Sequence, residues 1–526
     1  MKSLPRIDKM NDGFSFLVND RPYIMLAAEV HNSACTSRDY MQEVWRKTTE
    51  LNCNTVLAPV YWELVEPQEN HFDFHLVEQL IADARRHHLK LVLLWFGSFK
   101  NGLSTYAPNW VKTDLKRFPR AEDEHGVKTK ILSMFQSGLL PAELNSFTNF
   151  IKYIKETDAD EQTVIAVQVE NEVGIVGSTR DFSSGANEEF KKKVPDALTE
   201  FLKNAGNHGL CGITADSEDI SGHSWDNVFK HNAEEAFMCW NYAKHINRLA
   251  KSGKECYALP MFTNAWLKEF EDEKPGFYPC GGPVPEMLDV WKCAAPDLDI
   301  LSPDIYTFQF EKTAGLYTRG DNPLFIAETR RDKWAAANLY TAVGTYHALC
   351  YAPFGAESIG EDKSFITQIL HTDPNDKNVS GETVKEFLSQ SYQLFGNMMP
   401  IITKFYGTDR MIGFTQDFGH MTKYVKLGKY RIAIEFYHQV RDDNGFIPGA
   451  GIIIQNSENE LIFMGYGYRA YPETTNTGKQ LDFLSLEKGT YDDKGNWKKY
   501  MHLNGDEQYI RMEEKPTVLK ALYYEF

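Results

Sequence analysis

Several features are scarce in this chain of 526 residues, and each scarcity removes a class of function. Cysteine is sparse. The eight residues Cys35, Cys53, Cys211, Cys239, Cys256, Cys280, Cys293 and Cys350 include no Cys-x-x-Cys pair. That pattern points to free thiols in apolar surroundings rather than a disulfide framework, with one or two bridges as the alternative. There is no His-Glu-x-x-His, no Gly-x-Gly-x-x-Gly behind a strand and no phosphate loop, so neither a metal nor a cofactor is expected. No run of about 18 apolar residues occurs, and the opening Met1–Asp8 carries no apolar signal region, so no membrane span is expected. A cytoplasmic protein and one whose leader has been removed fit equally well. Basic residues are outnumbered 56 to 73 by acidic ones, a net charge of −17, which disfavours nucleic acid and anionic membranes as partners. Low-complexity segments and solenoid repeats are absent too.

What is present is a 42% hydrophobic, 13% aromatic chain, long enough for two domains. Eight short apolar runs alternate with amphipathic stretches. The runs are Tyr23–Ala28, Thr55–Val60, Leu89–Trp95, Val164–Val169, Ala258–Thr263, Leu298–Tyr306, Leu324–Ala327 and Ala352–Glu357. Helical periodicity covers Arg38–Leu51, Leu76–His88, Ala142–Lys155 and Glu188–Ala205, while Gly206–Cys256 reads as irregular. Strand–helix alternation repeated eight times predicts an α/β fold, a closed (β/α)₈ TIM barrel over residues 1–405 that ends with a long helix at Glu382–Phe405. From Gly407 the pattern changes to two-residue alternation, as in Tyr430–Phe436, Gly451–Gln455 and Leu461–Met464, with turn signals at Asp443-Asn444-Gly445 and Asp493-Lys494-Gly495. Residues 406–526 are therefore expected to form a smaller all-β, sandwich-like domain, packed on the barrel or, as the alternative, placed at a homo-oligomer interface.

Active sites of such barrels lie at the C-terminal ends of the strands. That rule nominates Glu29, His31 and Asn32 on the first strand, and Tyr61, Trp62 and Glu63 on the second. It adds Trp95, Lys100 and Asn101 on the third, Asn171 and Glu172 on the fourth, and Asn264, Trp266, Tyr306, Glu328 and Glu357 on the later ones. Carboxylates, amides and indoles in one pocket suit a neutral carbohydrate, whose hydroxyls need paired hydrogen bonds and whose apolar ring face needs an aromatic one. Two of the carboxylates close strand-like runs: Glu172 in Gln168-Val169-Glu170-Asn171-Glu172-Val173-Gly174, and Glu328 in Phe325-Ile326-Ala327-Glu328. Glycoside hydrolysis needs one protonated carboxyl to release the leaving oxygen and one ionised carboxylate to attack the anomeric carbon. The assignment is Glu172 as acid/base and Glu328 as nucleophile. Asn171 is expected on the neighbouring sugar hydroxyl, Tyr306 on Glu328, and Arg330 as the cation that keeps Glu328 ionised. Glu170 shares strand parity with Glu172, so from the residues alone either can be the catalytic one, with Glu172 favoured. Glu357 reads as a packing partner, Glu63 and Glu66 as caps of the following loop, and Arg85-Arg86-His87-His88 as a solvated helix end.

Beyond these residues the chain shows a family likeness. Asn54-Thr55-Val56, Trp62-x-x-x-Glu66-Pro67, Phe72-Asp73-Phe74, the Gln168–Gly174 segment and Phe354-Gly355 resemble glycoside hydrolase family 35, the β-galactosidases, over most of residues 15–370. Glu29-x-His31-Asn32-Ser33, Trp95–Gly102 and Ser302–Tyr306 resemble its bacterial branch with a C-terminal DUF5597-type β domain. The resemblance implies a retaining mechanism through a glycosyl-enzyme, with Glu172 as acid/base and Glu328 as nucleophile. The chain departs from the family at Pro59, where many members carry Tyr, and at Gly97-Ser98, where the third strand typically ends in Ala-Glu. The expected function is an exo-acting β-galactosidase. Alternatives are another β-glycosidase, a transglycosylase using the same carboxylates, and a catalytically silent carbohydrate-binding protein.

Overall fold

The computed structural model describes residues 3–10, 13–135, 138–204, 222–361, 379–438, 446–492 and 494–526. Eight parallel strands close into a barrel in sequential order: β1 (Met25–Glu29), β2 (Thr55–Tyr61), β3 (Lys90–Lys100), β4 (Val164–Asn171), β5 (Met261–Trp266), β6 (Ile300–Ile305), β7 (Ile326–Thr329) and β8 (Cys350–Pro353). Every residue of β1, β2, β4, β6, β7 and β8 is buried, as expected for strands enclosed by side chains within and helices without. The helix Arg38–Glu50 shows the pattern that builds the outer ring. Ser37 caps it by accepting a hydrogen bond from the Tyr40 amide, and Met41, Val44, Trp45 and Thr48 form one buried stripe.

The structure departs from the expected helical reading in two places. The expected helix Glu188–Ala205 is two helices, Ser184–Phe190 and Asp196–Asn204, with Ala205 outside the described residues. Pro195 separates them: it lacks an amide hydrogen and disfavours helical geometry in the residue before it. Conversely, the stretch read as irregular contains the 24-residue helix Ala233–Cys256. Its first half is buried almost all round (Ala236 to Trp240 without a break), which erases the one-sided periodicity by which a surface helix is recognised.

The C-terminal region forms two antiparallel sheets, one of six strands and one of four. Ile453, Leu461 and Phe463 fill the space between them, whereas their neighbours Ile452, Ile454, Ile462 and Met464 join the barrel core on the other face. The central strands Ala450–Gln455 and Glu460–Tyr466 are thus buried on both faces, which replaces the two-residue alternation expected at Gly451–Gln455 and Leu461–Met464, while Leu481–Tyr491 and Trp497–His502 of the same sheet stay partly exposed. The contact is close: a Cβ on Gly413 would lie 3.0 Å from the Gly344 Cα. The long helix Gly381–Phe405 is tied to the barrel, its Tyr392 hydroxyl donating to the carbonyls of Ala27 (2.8 Å) and Tyr351 (3.1 Å). Of the two expected turns, Asp443–Gly445 and Asp493 lie outside the described residues; Gly495 closes a turn onto the Asp492 carbonyl. The seven described cysteines are free thiols, and Cys211 lies outside the described residues. No helix among the described residues is long and apolar enough to cross a membrane.

Candidate active site

Strand register sets the site. Asp304 on β6 pairs with Glu328 on β7, Trp266 on β5 with Asp304, and Lys100 at the end of β3 with Asn171 on β4. One oxygen from each of Glu172, Asp304 and Glu328 lies within 4.8 Å of the others. Tyr306 Oη donates to Glu328 Oε2 at 2.8 Å. Asn264 Nδ2 donates to Asp304 Oδ2 (2.8 Å), Asn171 Oδ1 (3.2 Å) and Glu328 Oε1 (3.3 Å), while its Oδ1 accepts the Glu172 amide at 2.9 Å. Asn264 therefore fixes the spacing of β4, β6 and β7 at the layer where the carboxylates meet. Asn171 is held from the other side by Gln168 Nε2 (2.9 Å) and donates to Asn101 Oδ1 at 3.3 Å. Trp266, two residues beyond Asn264 on the same face of β5, is half-buried one layer nearer the mouth.

Burial separates the acids electrostatically. Glu172 is pushed up to about 8, first by desolvation and then by the charge on Glu328, with Lys100 and a hydrogen bond to Asp304 acting against the rise. Asp304 stands well above the carboxylate range because it is desolvated among Glu328, Glu172 and Glu29. Glu328 is also raised by desolvation, but Lys100, Tyr306 and Asn264 all counteract it. A neutral acid beside a carboxylate held by a cation and two donors is the division of labour that glycoside hydrolysis needs. The three oxygens have spacing a cation can use; however, two donors already occupy Glu328 and Lys100 supplies positive charge to the group.

Glu170 has a different environment. The amides of Gly97, Ser98 and Phe99 donate to its carboxylate at 3.1, 2.8 and 3.0 Å. Glu143 accepts from Trp95 Nε1 (3.2 Å) and Ser98 Oγ (2.5 Å), with His245 Nε2 3.0 Å away. Gly97 is needed here, because a Cβ would run into Glu143, Trp95 and Glu170 together. The equivalence of Glu170 and Glu172 by strand parity fails for a backbone reason: Glu170 takes a left-handed φ of +62° and Glu172 one of +46°, so alternation stops at the strand end.

The remaining nominated residues divide clearly. Glu29 is 1% exposed and neither carboxylate oxygen has a hydrogen-bond partner; it lies within electrostatic reach of Glu328, Lys100 and Glu172. Asn32 Oδ1 is likewise buried and unpartnered. His31 sits beside Ser358 and Arg331, and its amide donates to Glu357 Oε1 at 2.9 Å, so Glu357 joins the loops after β8 and β1. Trp62, expected on the substrate, is fully buried with its indole N–H on Glu66 at 3.0 Å. Trp95 faces outward from the barrel and stacks on Phe150, and Glu63 pairs with Lys112 at 3.0 Å. Large rings on apolar strands pack where space exists, and here that is behind the strand ends. Tyr61 stacks on Tyr106. Arg330 does not pair with Glu328: it pairs with Asp332, places its guanidinium 4.1 Å from the Phe308 ring centroid, and leaves Lys100 as the cation beside Glu328. Asp304 was missed as a member of the site, although in the strand expected over Leu298–Tyr306 its two-residue offset from Tyr306 put both on one face.

A family model described as beta-galactosidase, that of glycoside hydrolase family 42, matches residues 32–208, and a domain of unknown function, DUF5597, matches residues 388–513. The matching model is that of family 42 and not of family 35, which corrects the family expected from the strand-end motifs. A beta-galactosidase of Xanthomonas manihotis is 37% identical over 62 residues, covering 12% of this chain and 10% of that protein, so the chain matches about a tenth of this curated relative's length. The solved beta-galactosidase of Bacillus circulans sp. alkalophilus aligns with a TM-score of 0.47 and 10% identity, covering 95% of this chain and 99% of its own. That of Rahnella sp. R3 aligns with a TM-score of 0.44 and 10% identity, covering 96% and 98%. Over residues 32–208, what this chain is similar to is a family-42 beta-galactosidase.

Proposed function

We propose that the chain is a retaining β-glycosidase of the family-42 type, most simply a β-galactosidase acting on terminal β-linked sugars of oligo- or polysaccharides. The observation that carries this is the meeting of Glu172 and Glu328 oxygens within 4.8 Å at the C-terminal end of the barrel. Retaining enzymes hold their carboxyls about 5–5.5 Å apart, whereas inverting ones leave about 6.5–9.5 Å for a water. Glu328, ionised and aimed by Tyr306 and Asn264, attacks the anomeric carbon as the glycosidic bond breaks. Glu172, neutral at pH 7, gives its proton to the leaving oxygen, then takes one from the water that releases the sugar. Asp304 stays protonated beside Glu172 and orients it. Glu29, buried and without a protein donor, and Asn171 hold the sugar hydroxyls, because an unpaired buried carboxyl costs several kcal/mol until a ligand satisfies it. In this proposal residues 1–405 are the catalytic unit and 406–526 the β domain. The family description and the pocket's acids together favour a neutral hexose such as galactose.

The test is leaving-group release from aryl β-galactoside, glucoside, fucoside and arabinoside by wild type and Glu328→Gln. Wild type should turn over the galactoside best, and the variant should lose at least about a thousandfold in kcat. Near-normal turnover by Glu328→Gln would remove the assignment.

A further inference from the structure

A cavity of about 440 Å³ lies beyond the C-terminal ends of β6 and β7, and none of Glu172, Asp304 and Glu328 lines it. Its walls come from three segments: the turn and helix start after β6 (Thr307 to Lys312), the segment after β7 (Arg330 to Asn338), and Thr415 to His420 of the β domain. The first two segments leave the active-site layer directly. Thr307 follows Tyr306, and Arg330 stands two residues after Glu328, so two of the walls begin about 4–7 Å along the chain from residues of the carboxylate site.

The lining is aromatic with unspent hydrogen-bonding capacity. Phe418 of the β domain packs 4.7 Å from Trp334 and 5.4 Å from Phe308, centroid to centroid, and Arg330 covers the Phe308 ring. Phe308 is nonetheless 54% exposed. Trp334 Nε1 and Thr307 Oγ1 are buried without a hydrogen-bond partner. A buried indole N–H ordinarily finds an acceptor, so its lack of one within the protein points to a ligand oxygen. The third wall is fixed in place: Lys423 Nζ on the β domain reaches Glu311 Oε1 at 2.6 Å, and Thr415 Oγ1 donates to the Ala337 carbonyl at 2.8 Å.

We propose that this cavity binds the leaving-group side of a β-linked oligosaccharide, with a sugar ring against Phe308 and Phe418 and its hydroxyls on Trp334 Nε1 and Thr307 Oγ1. The volume falls in the range of small-ligand sites, roughly 300–1,000 Å³. The β domain then has a direct part in substrate selection: it supplies the wall that distinguishes a long leaving group from a short one. This proposal rests on the β-glycosidase function above.

The experiment compares wild type, Phe308→Ala and Phe418→Ala on β-galactosyl fluoride, whose leaving group is too small to reach the cavity, and on β-1,4-galactotetraose. In the variants kcat/KM for the tetrasaccharide should fall about tenfold, mainly through KM, the scale of one lost aromatic contact, while the fluoride is unaffected. Equal losses on both substrates, or no loss on either, overturn the proposal. The fluorescence difference between each of these proteins and its Trp334→Phe counterpart, which isolates Trp334 among the ten tryptophans, is followed during tetrasaccharide titration and separates this proposal from the one it rests on. If wild type cleaves neither substrate, the catalytic assignment fails, and the cavity is judged by the titration alone. Saturable quenching in wild type that weakens in both variants sustains it, and quenching that is absent or unchanged by the substitutions ends it.

Discussion

Replacing Tyr306 by Phe isolates one hydrogen bond at the nucleophile. In the structure Tyr306 Oη lies 2.8 Å from Glu328 Oε2, and the Glu328 carboxylate is buried, so the bond stabilises its ionised form. A hydrogen bond to a charged group contributes about 1.5–3 kcal/mol, which corresponds to roughly one to two pH units. Without the hydroxyl, Lys100 and Asn264 alone oppose the desolvation that raises Glu328. Because the nucleophile works only when ionised, the acid limb of the kcat/KM–pH profile should move alkaline by about one to two units. The alkaline limb, set by Glu172 near 8, should stay in place, so the bell narrows and its maximum falls. The assay is aryl β-galactoside hydrolysis from pH 4 to 9 by both proteins. A uniform fall in rate with both limbs unmoved would show that Tyr306 does not tune Glu328, and the account of how the nucleophile stays ionised would fail.

Two further predictions concern groups on either side of that pair. Glu172 rises from its ordinary 4.5 to about 8, so between those values the folded protein holds a proton that the unfolded chain has released. The stability this group contributes is present below about 4.5 and is lost as pH rises through 8. Glu172→Gln should therefore gain stability relative to wild type between pH 5 and 8, seen as a growing difference in urea midpoint, and should lose the alkaline limb of activity; a midpoint difference independent of pH counts against it. Gly97→Ala should destabilise the fold by about 1–3 kcal/mol in urea denaturation, since the new methyl group meets Glu143, Trp95 and Glu170 at once; a neutral effect would mean that the three amides do not hold Glu170 as described.

The barrel was legible because it rests on local patterns: apolar runs buried on both faces and amphipathic helices between them. Where the local pattern was erased, as in the first half of the helix Ala233–Cys256, which is buried almost all round, reading failed for that same reason. The glutamates Glu172 and Glu328 were legible because charge at the end of an apolar strand has few explanations. The likeness to β-galactosidases and the DUF5597 region were legible too, whereas the expected family 35 is not the one whose model matches, since short motifs at strand ends sample the groups the chemistry requires and little else of the chain. The sequence by itself therefore determined the barrel, the β domain and the carboxylate pair. Only the tertiary structure decided that Lys100 rather than Arg330 stands beside Glu328, that Asp304 joins the pair, and that Trp62 and Trp95 are core residues. Those outcomes depend on cross-strand register and on left-handed backbone at Glu170 and Glu172, and both are set by contacts between segments distant in the chain.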